Sequence, residues 1–263
     1  MKSIRLVGLA AGVALMAAWT VSAQTSASDL KLDDIIKKSI EAQGGMENIK
    51  AIQSMKLTGK MIVGGGQIEA PLVTYMKRPH SHRTEIVIQG QQIIDVYDGK
   101  TKWTINPMGG SRDPQRASEE EALAAADDSD IVEGPFVNYK EKGNVLELLG
   151  KEDVEGSPAY KIKVTFKSGR SRVVYLDAHS FLPVKEVAHV KQMGQEFDAE
   201  TKPSNYKKVN GVMIPFSSEM KVNQQVGMEM QFDKVEMNVP VDDSLFAFPE
   251  PAAKKPVEPP KGL

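Results

Sequence analysis

Few residues in this sequence combine the types and spacing needed for acid–base, metal or nucleophilic chemistry. His80 and His82 are two apart, which on a strand puts both on one face. A metal site needs three or four converging ligands, and the neighbouring sequence does not complete one. Their place just after Pro79 reads as a rim, and His179 and His189 are isolated. Carboxylates are adjacent at Asp127-Asp128 and at Asp242-Asp243. A hydrolytic pair faces across a cleft ~5–10 Å wide, and adjacency in sequence does not provide that. There is no G-x-S-x-G elbow, no H-E-x-x-H and no P-loop, and Gly64-Gly65-Gly66 runs into a strand pattern rather than a helix that could cradle phosphate. Cysteine is absent, which removes disulfides, thiol nucleophiles and thiolate zinc sites. The expectation is a protein that is not an enzyme and uses no cofactor or metal.

Methionine is more informative. Eleven follow position 23, and Met55, Met61, Met76, Met220, Met228 and Met230 fall on apolar strand faces. Methionine is flexible and polarizable; it fills gaps in cores and recurs on surfaces that accept varied apolar partners. As a group on the inner side of a sheet, these residues favour an adaptable apolar pocket. The charge balance, 33 Lys plus Arg against 35 Asp plus Glu, gives a formal net charge of −2 and no basic surface for nucleic acid. With 41% hydrophobic and 26% charged residues the composition is that of a globular chain.

The elements that must position these residues begin with an export signal. Lys2 and Arg5 precede an apolar run over 6–21, and Val21-Ser22-Ala23 supplies small residues for cleavage before Gln24. The run is shorter than the ~20 residues of a bilayer span. No cysteine follows it, so no lipid anchor is expected there. A helix is expected over 29–43, with Ile35, Ile36 and Ile40 on one stripe and Gly44-Gly45 as its stop, followed by a helical turn over 46–50.

From Ser54 the apolar period becomes two, which marks strands: 54–63, 67–77, 82–89, 91–97 and 101–106. A break spans 107–144, interrupted by a helix over 118–127 with capping-box spacing between Ser118 and Glu121. Leu123 and Ile131 are the apolar anchors of that region. Strands resume at Val145, with Tyr160, Ile162, Val164 and Phe166 alternating with Lys161, Lys163, Thr165 and Lys167. Further strands are expected at 170–177, 183–190, 194–201, 212–223 and 226–236. Asp243-Ser244-Leu245-Phe246 reads as a short turn that drops Phe246 and Phe248 onto the core, and 250–263 reads as a disordered Pro-rich tail. The outcome is ten or eleven antiparallel strands in one curved sheet with an apolar inner face and a Lys- and Glu-rich outer face. Helices are too few to cover a parallel sheet.

Five blocks bear a family resemblance: EAQGGMENIKAIQSMKLTGKM (41–61), YDGKTKWTINPMGG (97–110), GPFVNYKEKGNVLELLGKEDVEGSPAYKIKV (134–164), SNYKKVNGVMIPFS (204–217) and DDSLFAFP (242–249). In them the chain resembles the LolA/LolB-like superfamily, specifically outer membrane lipoprotein-sorting proteins. The resemblance implies a mainly β (α+β) fold, an unclosed antiparallel β-barrel over 24–249 whose N-terminal helix and helical insertion form a lid. It implies a soluble, monomeric periplasmic carrier that binds lipoprotein acyl chains or lipid for transfer to the outer membrane, with an inner-membrane transporter as donor and an outer-membrane acceptor. The alternative within the superfamily is an envelope-stress module that binds a partner protein. On alternation alone, the expected lipid-binding cavity is Met55, Leu57, Met61, Tyr160, Ile162, Val164, Phe166, Met228, Met230 and Phe232, and the lid residues are Ile35, Ile36, Ile40 and Leu123.

Overall fold

The structure is a computed structural model that describes residues 30–130, 133–192, 195–223 and 225–249. The expected signal segment 1–23, Ile131 and the tail 250–263 lie outside the described residues. The chain divides at Leu30/Lys31 into two units, and every element named below belongs to the second. Its helices are α1 (Leu32–Gln43), α2 (Gly45–Ala51) and α3 (Glu119–Asp128). The N-terminal strands are β1 (Ser54–Val63), β2 (Ile68–Lys77), β3 (Ser81–Ile88), β4 (Gln91–Tyr97), β5 (Lys102–Asn106) and β6 (Ser111–Arg116). The C-terminal ones are β7 (Val145–Val154), β8 (Ser157–Thr165), β9 (Ser171–Asp177), β10 (Pro183–Gln192), β11 (Gln195–Val209), β12 (Val212–Val222) and β13 (Gln225–Met237).

All thirteen strands form one antiparallel sheet in the order β6-β5-β4-β3-β2-β1-β13-β12-β11-β10-β9-β8-β7. Each half of the chain is a meander, and the halves join where the first strand pairs with the last. Among the described residues, β6 and β7 are the edge strands of the sheet. It must also curl. From β4 to β9 there are eight inter-strand spacings, ~38 Å on a flat sheet at ~4.8 Å each. Yet α3, a ten-residue helix ~15 Å long, packs on β4 and β5 and reaches Arg172 of β9 through its last residue. Only an unclosed barrel brings those flanks within one short helix of each other.

Among the described residues the strands number thirteen, against the ten or eleven expected. The 107–144 break contains β6, which Gly110 and Pro114 disguise; proline is tolerated there because β6 is an edge strand. Strand β11 runs on to Val209, through the polar stretch Lys202–Lys208, because β12 pairs with it from Ala199 to Val209.

Two glycines are fixed by close approach. A Cβ on Gly59 would lie 2.0 Å from the carbonyl oxygen of Gln231, at the bulge where β1 steps out of register with β13. Gly44, at φ +125°, presses the α1–α2 junction onto the β11–β12 turn, where a Cβ would lie 2.3 Å from the Gly211 oxygen.

Candidate acyl-chain site

Directly opposed residues in a ladder share a face, so register maps the sheet. Val63 opposes Met228, Met228 opposes Met220, Met220 opposes Thr201, Thr201 opposes Glu186, Glu186 opposes Val174, and Val174 opposes Ile162. The ten residues expected to line a cavity therefore sit on one face. Met55, Leu57 and Met61 come from β1; Phe232, Met230 and Met228 stand opposite Gly59, Met61 and Val63 on β13. Tyr160, Ile162 and Val164 come from β8, with Phe166 just beyond it. It is also the helix-covered face, since Met55 and Leu57 share a core cluster with Ile49 and Ile52 at the α2 end, Val137, and Val212, Ile214 and Phe216 of β12. Met55, Leu57, Met61, Tyr160, Ile162, Val164 and Phe166 are buried. Met220, Met228, Met230 and Phe232 are only half-buried and mark one end of the face.

The simple division into apolar inside and charged outside is corrected. The helix-covered face is apolar in its centre but charged on both flanks, with Arg172 and Glu186 on β9 and β10, and Asp95 and Lys102 on β4 and β5. The opposite face has its own apolar cluster of Ile94, Val96 and Trp103, covered by the segment after β13 through Val241 and Phe246. Trp103 donates its indole N–H to the Phe246 carbonyl at 3.0 Å, and Phe248 meets the indole edge-on. This is the role expected of Phe246 and Phe248. The cause of the two-sided core is that C-terminal strap, also held by Lys77 on the Val241 carbonyl and by Arg83 on that of Leu245.

Three segments lie over the helix side. Helix α1 buries Ile35 and Ile36 and half-buries Ile40, which packs on the core cluster. Helix α3 has the capping box expected of Ser118 and Glu121. Its expected apolar anchor is corrected, because Leu123 is 47% exposed and Ala125 is its one buried residue. Charge holds the helix instead. Asp127 accepts from the Ser168 hydroxyl at 2.7 Å and lies 3.5 Å from Arg170, and Asp128 pairs with Arg172.

The third segment, 133–144, was unforeseen. It buries Phe136 and Val137 and is tied down by Glu133, which accepts from Arg78 at 2.6 Å and from Lys142 at 2.8 Å. Arg78 also donates to the carbonyls of Ile49 and Ile52, locking this strap to α2. Burial works against the Glu133 charge, but the Lys142 and Arg78 hydrogen bonds outweigh it and hold the carboxyl below its ordinary range.

Between α1 and the strap runs a groove of ≈ 520 Å³, floored by Ile36, Ile40, Met46 and Phe136 and rimmed by Tyr139 and Lys140. Tyr139 closes one side by donating to Asp33 at 3.0 Å. Ile36 and Ile40 of this floor belong to the apolar stripe expected of the N-terminal helix, whereas the strap side, with Phe136-Val137 inside a Gly- and Pro-marked turn, was not singled out.

The histidines do not converge. His80 lies in the turn before β3 with its Nδ1 3.2 Å from Asp130, and His82 is on β3, 3.7 Å from Asp95. Burial penalises the Asp95 charge, but His82 and Lys102 more than compensate and lower its pKa. Asp127 and Asp128 end α3, while Asp242 caps a short turn by accepting from the Ser244 amide at 2.8 Å. Among the described residues, no group of three or more His, Asp or Glu side chains could hold a metal ion. Likewise no helix there is long and apolar enough to cross a membrane.

No family model matches this sequence, and no curated protein does. Solved structures do match in fold. A DUF1329 family protein from Desulfovibrio piger superposes with a TM-score of 0.55 at 15% identity, over 82% of this chain and 96% of its own. A LolA superfamily protein from Nitrosomonas europaea gives 0.55 at 13% identity, over 83% and 98%. A Vibrio parahaemolyticus protein described as an outer membrane lipoprotein-sorting domain gives 0.53 at 15%, over 81% and 94%. With its open thirteen-stranded antiparallel sheet and its helices on one face, the described chain has the LolA-like fold.

Proposed function

We propose that this chain is a periplasmic carrier that shelters an acyl chain of a lipid or lipoprotein against the helix-covered sheet face, and that it binds rather than catalyses. In this reading residues 1–23 direct export and are removed, and the carrier takes cargo from an inner-membrane donor to an outer-membrane acceptor. One observation supports it most. The helix-covered face carries two buried apolar stretches, Tyr160, Ile162 and Val164 on β8 and a second around Met55, Leu57 and Met61 of β1 that ends in the half-buried Met220, Met228, Met230 and Phe232, separated along the sheet by Arg172 and Glu186.

The energetics favour such a device. Each methylene taken out of water is worth ~0.8 kcal/mol, so a chain of about 14 gains ~11 kcal/mol before ordering costs. That makes free diffusion of the cargo prohibitive and a sheltering cavity useful. Release requires a cover that opens cheaply. Helix α3 buries a single alanine, so its detachment exposes little apolar surface. Cargo reaches the buried Ile162 and Val164 of β8 by displacing α3 and the side chains that fill the closed state.

Native mass spectrometry of protein purified from its own envelope tests this reading. The expected result is a lipid or acylated species bound at one per chain and lost on Met230→Asp substitution. A lipid-free chain in stoichiometric complex with a protein would overturn it in favour of a sensing module.

A further inference from the structure

Arg170 and Arg172 stand beside the proposed acyl patch, and their pairing with α3 is incomplete. Arg172 projects from the helix-covered face, opposite Val164, with its guanidinium 4.8 Å over the Phe166 ring. One terminal nitrogen, Nη1, binds Glu186 of the neighbouring strand at 3.1 Å. The other, Nη2, takes Asp128 of α3. Its Nε is buried with no hydrogen-bond partner, and so is Nη1 of Arg170, which only approaches Asp127 at 3.5 Å. Buried donors are normally satisfied, and an orphaned one costs free energy.

The edge formed by Nε and Nη2 is the one through which arginine grips carboxylate or phosphate with two parallel bonds. Asp128 uses half of it. Ser168, whose hydroxyl holds Asp127, adds a further donor at the same place. The helix carboxylates are thus imperfect occupants of a site with more donors than they fill. Burial also pushes the Asp127 carboxyl up, against the pull of Ser168 and Arg170.

The geometry points to an anion site at Arg170, Arg172 and Ser168 that takes the phosphate of an amphiphile's head group when α3 lifts, with Asp127 and Asp128 as built-in stand-ins while it is closed. This rests on the carrier reading and narrows its cargo to phosphate-bearing amphiphiles. The tetrahedral group has enough acceptor oxygens for the two orphaned donors, and the acyl chain leaves it directly toward Phe166 and Val164. Glu186 keeps its bond to Arg172, so the arginine stays oriented when the helix departs.

The test uses the full chain and three probes: dihexanoyl phosphatidic acid, dihexanoylglycerol and inorganic phosphate, each followed by calorimetry. The expected result is phosphatidic acid bound at least about fivefold more tightly than the neutral diacylglycerol. Arg172→Lys keeps the charge but loses the two-pronged grip, and should bring that ratio close to one. Asp128→Ala, at the exposed end of α3, removes a competitor and should raise the ratio by about threefold or more. If Arg172→Lys does not fold, the Asp128→Ala ratio decides alone. Arginine-dependent binding of inorganic phosphate without lipid supports the same chemistry with a free anion as the source. Equal affinity for the two lipids, or an unchanged ratio in Asp128→Ala, overturns the anion site and leaves the carrier reading standing. Failure of both lipids to bind refutes the carrier; the anion site falls as well if inorganic phosphate shows no arginine-dependent binding.

Discussion

Replacing Glu133 with glutamine should loosen the strap over the helix side, by an amount the contacts allow to be worked out. The carboxylate is 10% exposed and bridges two cations, Arg78 at 2.6 Å and Lys142 at 2.8 Å. Removing one side of a buried ion pair costs about 3–5 kcal/mol when the other charge is left uncompensated. Here neither is stranded entirely. Arg78 keeps the carbonyls of Ile49 and Ile52, and Lys142 keeps Asp130 at 2.7 Å. The expected loss is therefore lower, about 2–3 kcal/mol at pH 7.

The sign with pH follows from the lowered pKa of Glu133. A carboxyl whose folded pKa is depressed contributes stability above its unfolded value and loses it as pH falls through the folded one. The gap between wild type and Glu133→Gln should be full at neutral pH and shrink below about pH 4.5. Urea unfolding at several pH values measures it, and hydrogen exchange should show the faster opening concentrated in 133–144. A gap under about 0.5 kcal/mol at pH 7, typical of a surface pair, or one that widens in acid, would refute the reasoning.

Other outcomes follow from single contacts. Ile162→Ala, at a fully buried position on β8, should cost about 2–5 kcal/mol in urea unfolding. Trp103→Phe strands the Phe246 carbonyl and should cost about 1–3 kcal/mol, with faster exchange in 238–248. Ser118→Ala removes the cap from α3 and should destabilise that helix by about 0.5–2 kcal/mol, visible as exchange in 119–128 with little change in global unfolding.

Much of the architecture could be read from period and punctuation. Strand β1 has the expected bounds, because its apolar positions alternate without interruption and Gly64-Gly65-Gly66 ends it. Ser118 and Glu121 announced the start of α3 because a capping box is local chemistry. What escaped depends on distant partners. Strand β6, with Arg112, Asp113 and Arg116 around Pro114, has no alternation and exists because β5 offers it an edge. Phe136 and Val137 looked like loop residues until Arg78 and Lys142, far apart in sequence, fixed Glu133 beside them. The side-chain faces of β8 and of β13 up to Phe232 were legible because parity holds between bulges; past the bulge the face passes to Val235 and Met237, which alternation does not show. The charges on the flanks were not, since Arg172 needs both Glu186 and Asp128 to be tolerated there.

Methionine methyl groups give the most direct view of the central claim that an acyl chain rests on the helix-covered face. The chain is labelled with [¹³C-methyl]methionine and mixed with stearic acid carrying a nitroxide on its tail. Met61, Met228 and Met230 should broaden strongly. Met108, which is exposed beyond β5, and Met213, whose partner Lys208 places it on the opposite face, should not. Broadening of Met108 and Met213 to the same degree, or none at Met228 and Met230, would contradict the account.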